Sequence, residues 1–392
     1  MTESVVILGI ARTAMGGMQG VFADLPAPQL GGAAIKGALE DAKLSPSAVT
    51  EVLMGCVLPA GVGQAPARQA SIAAGIAKSV PTSTVNKVCG SGMKTVMIAR
   101  DSLLVGSNQV VVAGGMENMT LAPHLLTKAR SGYRLGHGEL LDHMFLDGLQ
   151  DAYQGGLMGN FAELTAEKYQ LSRETQDAFA IESLKRANAA IQDGSFKREI
   201  VPVTLKTKKG DQVIDTDEQP GNARPDKIPA LKPAFKKDGT VTAANASSIS
   251  DGAAALVLST QSYAQERGLK PLAKIVAQAE FAQEPEWFTT APVGAMKRVL
   301  ELANWSVEEV DLFEINEAFA VVTLAAMADL AIPHDKVNVN GGACALGHPL
   351  GASGARVLVT LIAALEARGK KRGIASLCIG GGEAVAMAIE LL

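Results

Sequence analysis

The chain of 392 residues carries 36 Lys and Arg against 40 Asp and Glu, a net charge of −4, with 47% hydrophobic residues and 4% aromatics. Length and hydrophobic content allow two or three domains with sizeable cores, while the acidic balance excludes nucleic acid as the main partner, because phosphate binding wants a basic surface. Four cysteines, at 56, 89, 344 and 378 and without a C-x-x-C pair, make neither a disulfide framework nor a zinc module.

In chain order, Val5–Ile10 predicts a strand, too short for a signal h-region and without a basic leader. A helix over Leu30–Ala42, a strand over Glu51–Val57 and an Ala-rich helix over Ala65–Ala77 follow. Past a glycine-rich turn come a helix over Met93–Leu104 and a buried strand over Gln109–Ala113. From about 118 to 250 the sequence turns polar and Pro-containing, with one long helical stretch over Thr165–Asp193 and a short strand over Asp211–Asp217; it reads as an inserted loop domain. The last part resumes the first theme: strand Lys274–Ala277, helix Val293–Ala303, strand Leu312–Ile315, an apolar helix after Phe319, helix Ala355–Ala367, and strands Gly373–Cys378 and Ala384–Leu391. Strands alternating with helices predict an α/β fold with a largely parallel sheet. The two halves read as a weak repeat, with Val85-Asn86 matching Val339-Asn340 before glycine-rich turns. No uninterrupted apolar run reaches the ~20 residues of a membrane helix. Together these features predict a reduced, cytoplasmic protein with core halves at 1–118 plus 250–270 and at 271–392, and a loop domain at 119–249.

Three turns carry the chemistry. Cys89 lies in Asn86-Lys87-Val88-Cys89-Gly90-Ser91-Gly92, just ahead of a helix, where backbone N–H groups favour a thiolate. His348 lies in Gly347-His348-Pro349, with little side-chain bulk beside it, and imidazole is the natural base for a thiol. Cys378 ends an apolar strand before Gly380-Gly381-Gly382, whose N–H groups suit an oxyanion. A lone cysteine or histidine is more often a core residue; three of them on glycine-rich turns indicate covalent catalysis. Asn316 ends the strand Leu312–Ile315, where ligands meet open α/β sheets, and Glu317 reads as a loop anchor rather than a base. Cys56 and Cys344 read as packing residues, and His124, His137, His143 and His334 have no evident partner in sequence. Neither a G-x-G-x-x-G fingerprint nor a P-loop is present, since Met93 stands where the latter needs glycine.

The Cys-Gly-Ser-Gly turn at 89–92, Asn-Glu-Ala-Phe at 316–319, Gly-His-Pro at 347–349 and Cys-Ile-Gly-Gly-Gly at 378–382 occur in the order of the thiolase family, and the whole chain resembles it. The resemblance implies a duplicated five-layered α/β/α/β/α core with an inserted loop domain, and a homotetramer. It implies an acetyl-CoA C-acetyltransferase: His348 takes the proton of Cys89, Cys89 carries the acetyl group, and Cys378 deprotonates a second acetyl-CoA to give acetoacetyl-CoA and CoA. One thioester oxygen is then held by His348 and a water on Asn316, the other by the N–H groups of Cys89 and Gly380. Coenzyme A is substrate and product, and neither metal nor cofactor is expected. Ser247, Phe235, Met158, Ala318 and Phe319 match positions of the pantetheine channel. Leu157 stands where many biosynthetic members carry His. Residues 219–227 depart from the usual nucleotide-contacting loop, leaving Arg224 or Lys227 to meet the CoA phosphates. Two other readings remain: a broader-chain 3-ketoacyl-CoA thiolase of fatty-acid β-oxidation, and a catalytically silent acyl-CoA-binding scaffold.

Overall fold

The computed structural model describes residues 3–208 and 210–392. Its core strands are β1 (Val5–Arg12), β2 (Glu51–Gly55), β3 (Thr82–Val85), β4 (Val110–Asn118), β5 (Ser250–Thr260), β6 (Ala273–Ala282), β7 (Leu312–Ile315), β8 (Arg372–Ile379) and β9 (Glu383–Leu391). They form one path in the order β7-β8-β9-β6-β1-β5-β4-β2-β3. The expected parallel sheet is corrected here: β2–β3, β2–β4 and β7–β8 are parallel, whereas β1–β5, β4–β5, β6–β9, β8–β9 and β1–β6 are antiparallel.

The repeat is visible in this path. One half runs β3-β2-β4-β5-β1. The other runs β7-β8-β9-β6, with a single parallel bridge from Phe313 to Val337 where β3 would have its counterpart. The halves join edge to edge through Val6–Lys274 and Ile7–Ala273.

Five layers follow from which faces are apolar. Along β1, Val5 and Ile7 face the central layer and Val6 and Leu8 the outer one, as the two-residue period of a strand requires. A register shift between Ile7 and Gly9 resets the parity, so that Ile10 again faces inward. Helices α1 (Ala27–Asp41) and α2 (Pro66–Ala73) cover the outer face of the first half. Between the halves lie α3 (Ser91–Leu104) and a long helix, Leu350–Arg368. The outer face of the second half is covered by Ala291–Ala303 and Ala320–Leu330.

Leu350–Arg368 is predominantly apolar because it is enclosed on every side; it is long and apolar enough to cross a membrane, yet 89% of its apolar window is buried in the protein. It meets α3 backbone to backbone. A Cβ on Gly92 would lie 2.7 Å from Ala355 N, and one on Gly354 would lie 2.3 Å from Met93 N. That close approach sets the turns before the two helices, with Cys89 on one and His348 on the other, side by side.

Where one long helix was expected over Thr165–Asp193, the excursion between β4 and β5 has a break between α4 (Met158–Lys168) and α5 (Arg173–Asp193). They are separated at Gln170, whose φ is 51°, and Ser172 caps the second by accepting from Thr175 N at 3.2 Å. The short strand predicted at 211–217 is Gly210–Ile214, paired with Val203–Thr207. Buried Arg12 ties this excursion to β1, donating to Asp217 Oδ1 at 2.7 Å and Glu199 Oε1 at 2.9 Å.

Candidate active site

The Cys89 turn is strained and heavily tethered. Val88 has φ 45°, a region that β-branched residues avoid. Asn86 Oδ1 accepts from Val88 N at 2.9 Å. Ser91 Oγ donates to Val88 O at 2.6 Å and accepts from Lys87 N at 2.8 Å. Gly90 leaves room for Ile379, whose Cδ1 would be 2.4 Å from a Cβ there. These contacts hold Cys89 at the mouth of α3. Burial pushes its thiol up to about 11, against the N–H groups of Gly380 and of Cys89 itself, which face the sulfur. The turn after β8 supplies Gly380; Gly381 and Gly382 continue it with φ 95° and 90°, values that call for glycine. Cys378, fully buried on β8, is raised well above an ordinary thiol by burial and by the neighbouring Cys89. The structure therefore brings the two thiols and the Gly380 amide together.

His348 enters from the second turn. Its N–H donates to Ser248 O at 3.1 Å, and its Nδ1 lies 2.6 Å from Ser353 Oγ. Ser353 uses its single proton on Pro349 O at 2.9 Å, so toward the ring it accepts and Nδ1 carries the hydrogen. Nε2 is left as the basic nitrogen. Burial and then the charge of Arg356 push the imidazole down to about 3, so it rests neutral. Asn316 Nδ2 sits 3.4 Å from Nδ1 and 3.5 Å from Nε2, over the ring. Its neighbour Glu317 is the expected anchor: it accepts from Asn338 Nδ2 at 2.8 Å, Ser183 Oγ at 2.7 Å and Cys344 N at 3.0 Å.

Cys89, His348 and Gly380 open into an apolar cavity of about 360 Å³, whose walls include Leu157, Met158, Phe235, Ser247, Ala318 and Phe319. Phe319 packs edge-on against Phe235 and Phe288, with centroids 6.0 and 6.4 Å apart. Ser247 is fixed by donating its N–H to Ala318 O at 2.9 Å. Asn316 and Cys378 stand behind the lining. Arg224 and Lys227 lie elsewhere, on an adjoining cleft of about 590 Å³ that shares Ala243 and Ser248 with the first. This arrangement suits acyl transfer to sulfur: a thiol, a neutral base, a second thiol and paired amides at the inner end of an apolar channel.

Several contributors were not singled out in sequence. Phe145, Leu149, Ile249, Phe288 and Leu350 complete the walls. Glu117, buried on β4, accepts from Val57 N at 2.9 Å, Leu58 N at 3.1 Å and Gly351 N at 2.8 Å, tying both halves together beside Cys89; burial pushes it up to about 7. Ser353 and Arg356 stand on the central helix, where a lone charge in an apolar run was the available signal. His143, unpartnered in sequence, holds Asp147 Oδ2 at 2.6 Å at the start of the wall segment Phe145–Leu149. His334 stacks on Phe179, with centroids 5.2 Å apart.

A duplicated five-layered core that brings two thiols and an imidazole together at the ends of its facing halves defines a class, and comparison with known proteins gives the same one. The family "Thiolase, N-terminal domain" matches residues 5–262, and "Thiolase, C-terminal domain" matches 269–391. The chain is 51% identical over 392 residues to the acetyl-CoA acetyltransferase of Cupriavidus necator, covering 100% of both. It is 52% identical over 393 residues to acetyl-CoA acetyltransferase 2 of Arabidopsis thaliana, covering 100% of this chain and 98% of that one. Among solved structures, the acetyl-CoA acetyltransferase of Bacillus anthracis superposes with a TM-score of 0.97 at 40% identity, over 100% of this chain and 99% of that one. The Acat5 thiolase of Ascaris suum, in complex with coenzyme A, does so with 0.94 at 44% identity, over 99% and 100%. The chain belongs to the thiolase family.

Proposed function

We propose that this protein is an acetyl-CoA C-acetyltransferase, an acyltransferase that condenses two acetyl-CoA to acetoacetyl-CoA and CoA, and runs the reverse thiolysis. The observation that carries the reading is the placing of Cys89, with Cys378 behind it and neutral His348 beside it, at the inner end of the apolar channel. His348 Nε2 takes the Cys89 proton as sulfur bonds to the acetyl carbonyl, and CoA leaves as its thiolate. That thiolate takes the proton of Cys378. The Cys378 thiolate then removes a proton from the methyl group of a second acetyl-CoA, and the carbanion attacks acetyl-Cys89. Cys89 leaves as thiolate and recovers its proton from His348, so every group returns to its starting state. The N–H groups of Cys89 and Gly380 receive charge on one thioester oxygen. His348 and a water on Asn316 receive it on the other, each such donor contributing ~3 kcal/mol.

Channel size supports the short-chain reading over the broad-chain one. A cavity of about 360 Å³ that also takes a pantetheine arm leaves room for a small acyl group. The adjoining cleft with Arg224 and Lys227 suits the CoA phosphates, and the 119–249 excursion acts as the domain that receives CoA. Exposed Leu126, Leu135 and Leu140 on that excursion support assembly as a homotetramer, and four free cysteines support a reduced, cytoplasmic setting in lipid metabolism. CoA-dependent thiolysis of 3-ketoacyl-CoAs of graded length tests the reading. Activity confined to acetoacetyl-CoA is expected. Comparable rates on long chains would establish the broad-chain enzyme, and no activity on any would leave the silent scaffold.

A further inference from the structure

Resting on the acetyltransferase reading, we infer that Arg356 is a positioning residue that orients the side-chain amide of Asn316 toward the reacting thioester. Arg356 sits on the central helix and is 1% exposed, an arrangement an arginine adopts only when its donors are used. Its guanidinium forks toward the end of β7: Nη1 donates to Glu314 Oε1 at 2.7 Å, and Nη2 donates to Asn316 Oδ1 at 3.4 Å. Guanidinium has donors and no acceptor, so the amide atom that faces it is the oxygen. The NH2 end is thereby turned to the opposite side, over His348.

The backbone leaves the amide this one choice to make. Asn316 N donates to Ser376 O at 3.0 Å, and Asn316 O accepts from Ala318 N at 2.9 Å, so both main-chain groups are already used. What remains free is rotation of the amide plane. In one orientation two N–H donors face the His348 side; in the other, a carbonyl oxygen does. A donor stabilises charge developing on a thioester oxygen, directly or through a water, whereas an oxygen repels it. A neutral buried side chain has no intrinsic preference between them, and the guanidinium supplies it. The fork geometry matters: a lysine ammonium is a point charge that serves Glu314 without spanning to Asn316.

Kinetics of Arg356→Lys, Asn316→Ala and their combination test the inference, read as kcat and KM for thiolysis of acetoacetyl-CoA. Lysine keeps a cation beside Glu314, which preserves the buried pair and the fold. We expect Arg356→Lys to lower kcat about 10-fold with KM within about twofold, as for an interaction that matters in the transition state. Asn316→Ala is expected to lose about 100-fold. The double variant is expected within about threefold of Asn316→Ala alone, because Arg356 acts only through the amide that this substitution has already removed. Glu314→Gln, whose carbonyl still accepts from Nη1, is expected within about threefold of the parent rate. Parental kcat in Arg356→Lys, losses that multiply in the double variant, or a Glu314→Gln loss equal to that of Arg356→Lys would each overturn the inference in favour of a purely structural ion pair. A parent protein without thiolysis would instead overturn the proposed function, and this inference with it.

Discussion

Replacing Ser353 by Ala separates the catalytic tautomer of His348 from the mere presence of the ring. Ser353 is 1% exposed; its hydroxyl accepts from His348 Nδ1 at 2.6 Å and donates to Pro349 O at 2.9 Å. Alanine removes both bonds and fills no new space. For the neutral ring, the lost bond contributes about 1 kcal/mol; for the imidazolium that forms as Cys89 is acylated, about 1.5–3 kcal/mol. The difference, about 0.5–2 kcal/mol, is felt only when the proton is on His348, so kcat falls about 2–30-fold while KM stays near its parental value. Stability falls by about 1–3 kcal/mol, because the buried Nδ1–H of His348 is left unpaired, whereas Pro349 O keeps the backbone N–H groups of Ala352 and Ser353. Thiolysis kinetics give the first quantity and a urea transition the second. Nitrogen NMR of the ring adds a direct view: the parent carries its hydrogen on Nδ1, and the variant is a mixture. A folded Ser353→Ala protein with parental kcat, or a parent ring protonated on Nε2, would refute the assignment of Nε2 as the base.

Two further outcomes follow from the same geometry. With the Cys89 thiol up to about 11 and His348 down to about 3, the resting pair is neutral and the thiolate fraction at neutral pH is roughly one in ten thousand. Iodoacetamide labelling of Cys89 in the substrate-free protein should therefore climb without levelling from pH 7 to pH 10, and a plateau already reached near pH 7 would indicate a resting thiolate–imidazolium pair instead. Gly159→Ala places a Cβ 2.3 Å from the Phe235 ring, which must swing into the channel or away from Phe319. We expect KM for acetoacetyl-CoA to rise several-fold with a smaller change in kcat, and a stability loss of about 1–3 kcal/mol; unchanged KM would show that Phe235 does not shape the bound substrate.

The residues that the structure gathers at the candidate site were legible because each stands among glycines. Bulk-free flanks around Cys89, His348 and Cys378 mark backbone that approaches something closely, and Gly90, Gly92 and Gly382 do so here. What holds those groups was not legible. Ser353 and Arg356 lie inside a continuous apolar helix, where a serine reads as filler, and the left-handed turn at Val88 has no compositional signature in a β-branched residue. The sheet direction was misread for a related reason. Strand β5, Ser-Asp-Gly-Ala-Ala-Ala-Leu-Val-Leu-Ser-Thr, is buried along nearly its whole length, so it shows no alternation, and its small residues have low strand propensity. Without β5, the antiparallel return between β4 and β1 vanishes, and an apparent parallel series remains in the first half. The inserted helices were joined in sequence because nothing but Ser172 interrupts their polar surface.

The central claim is that Cys89 carries the acetyl group and Cys378 moves the proton. Incubating the Cys378→Ala protein with acetyl-CoA, quenching in acid and mapping the acetyl group by peptide mass spectrometry tests it most directly. The account predicts one acetyl group on Cys89, no acetoacetyl-CoA in solution, and no labelling when Cys89 is also replaced. An acetyl group on another residue, or acetoacetyl-CoA formed at the parental rate, would contradict it.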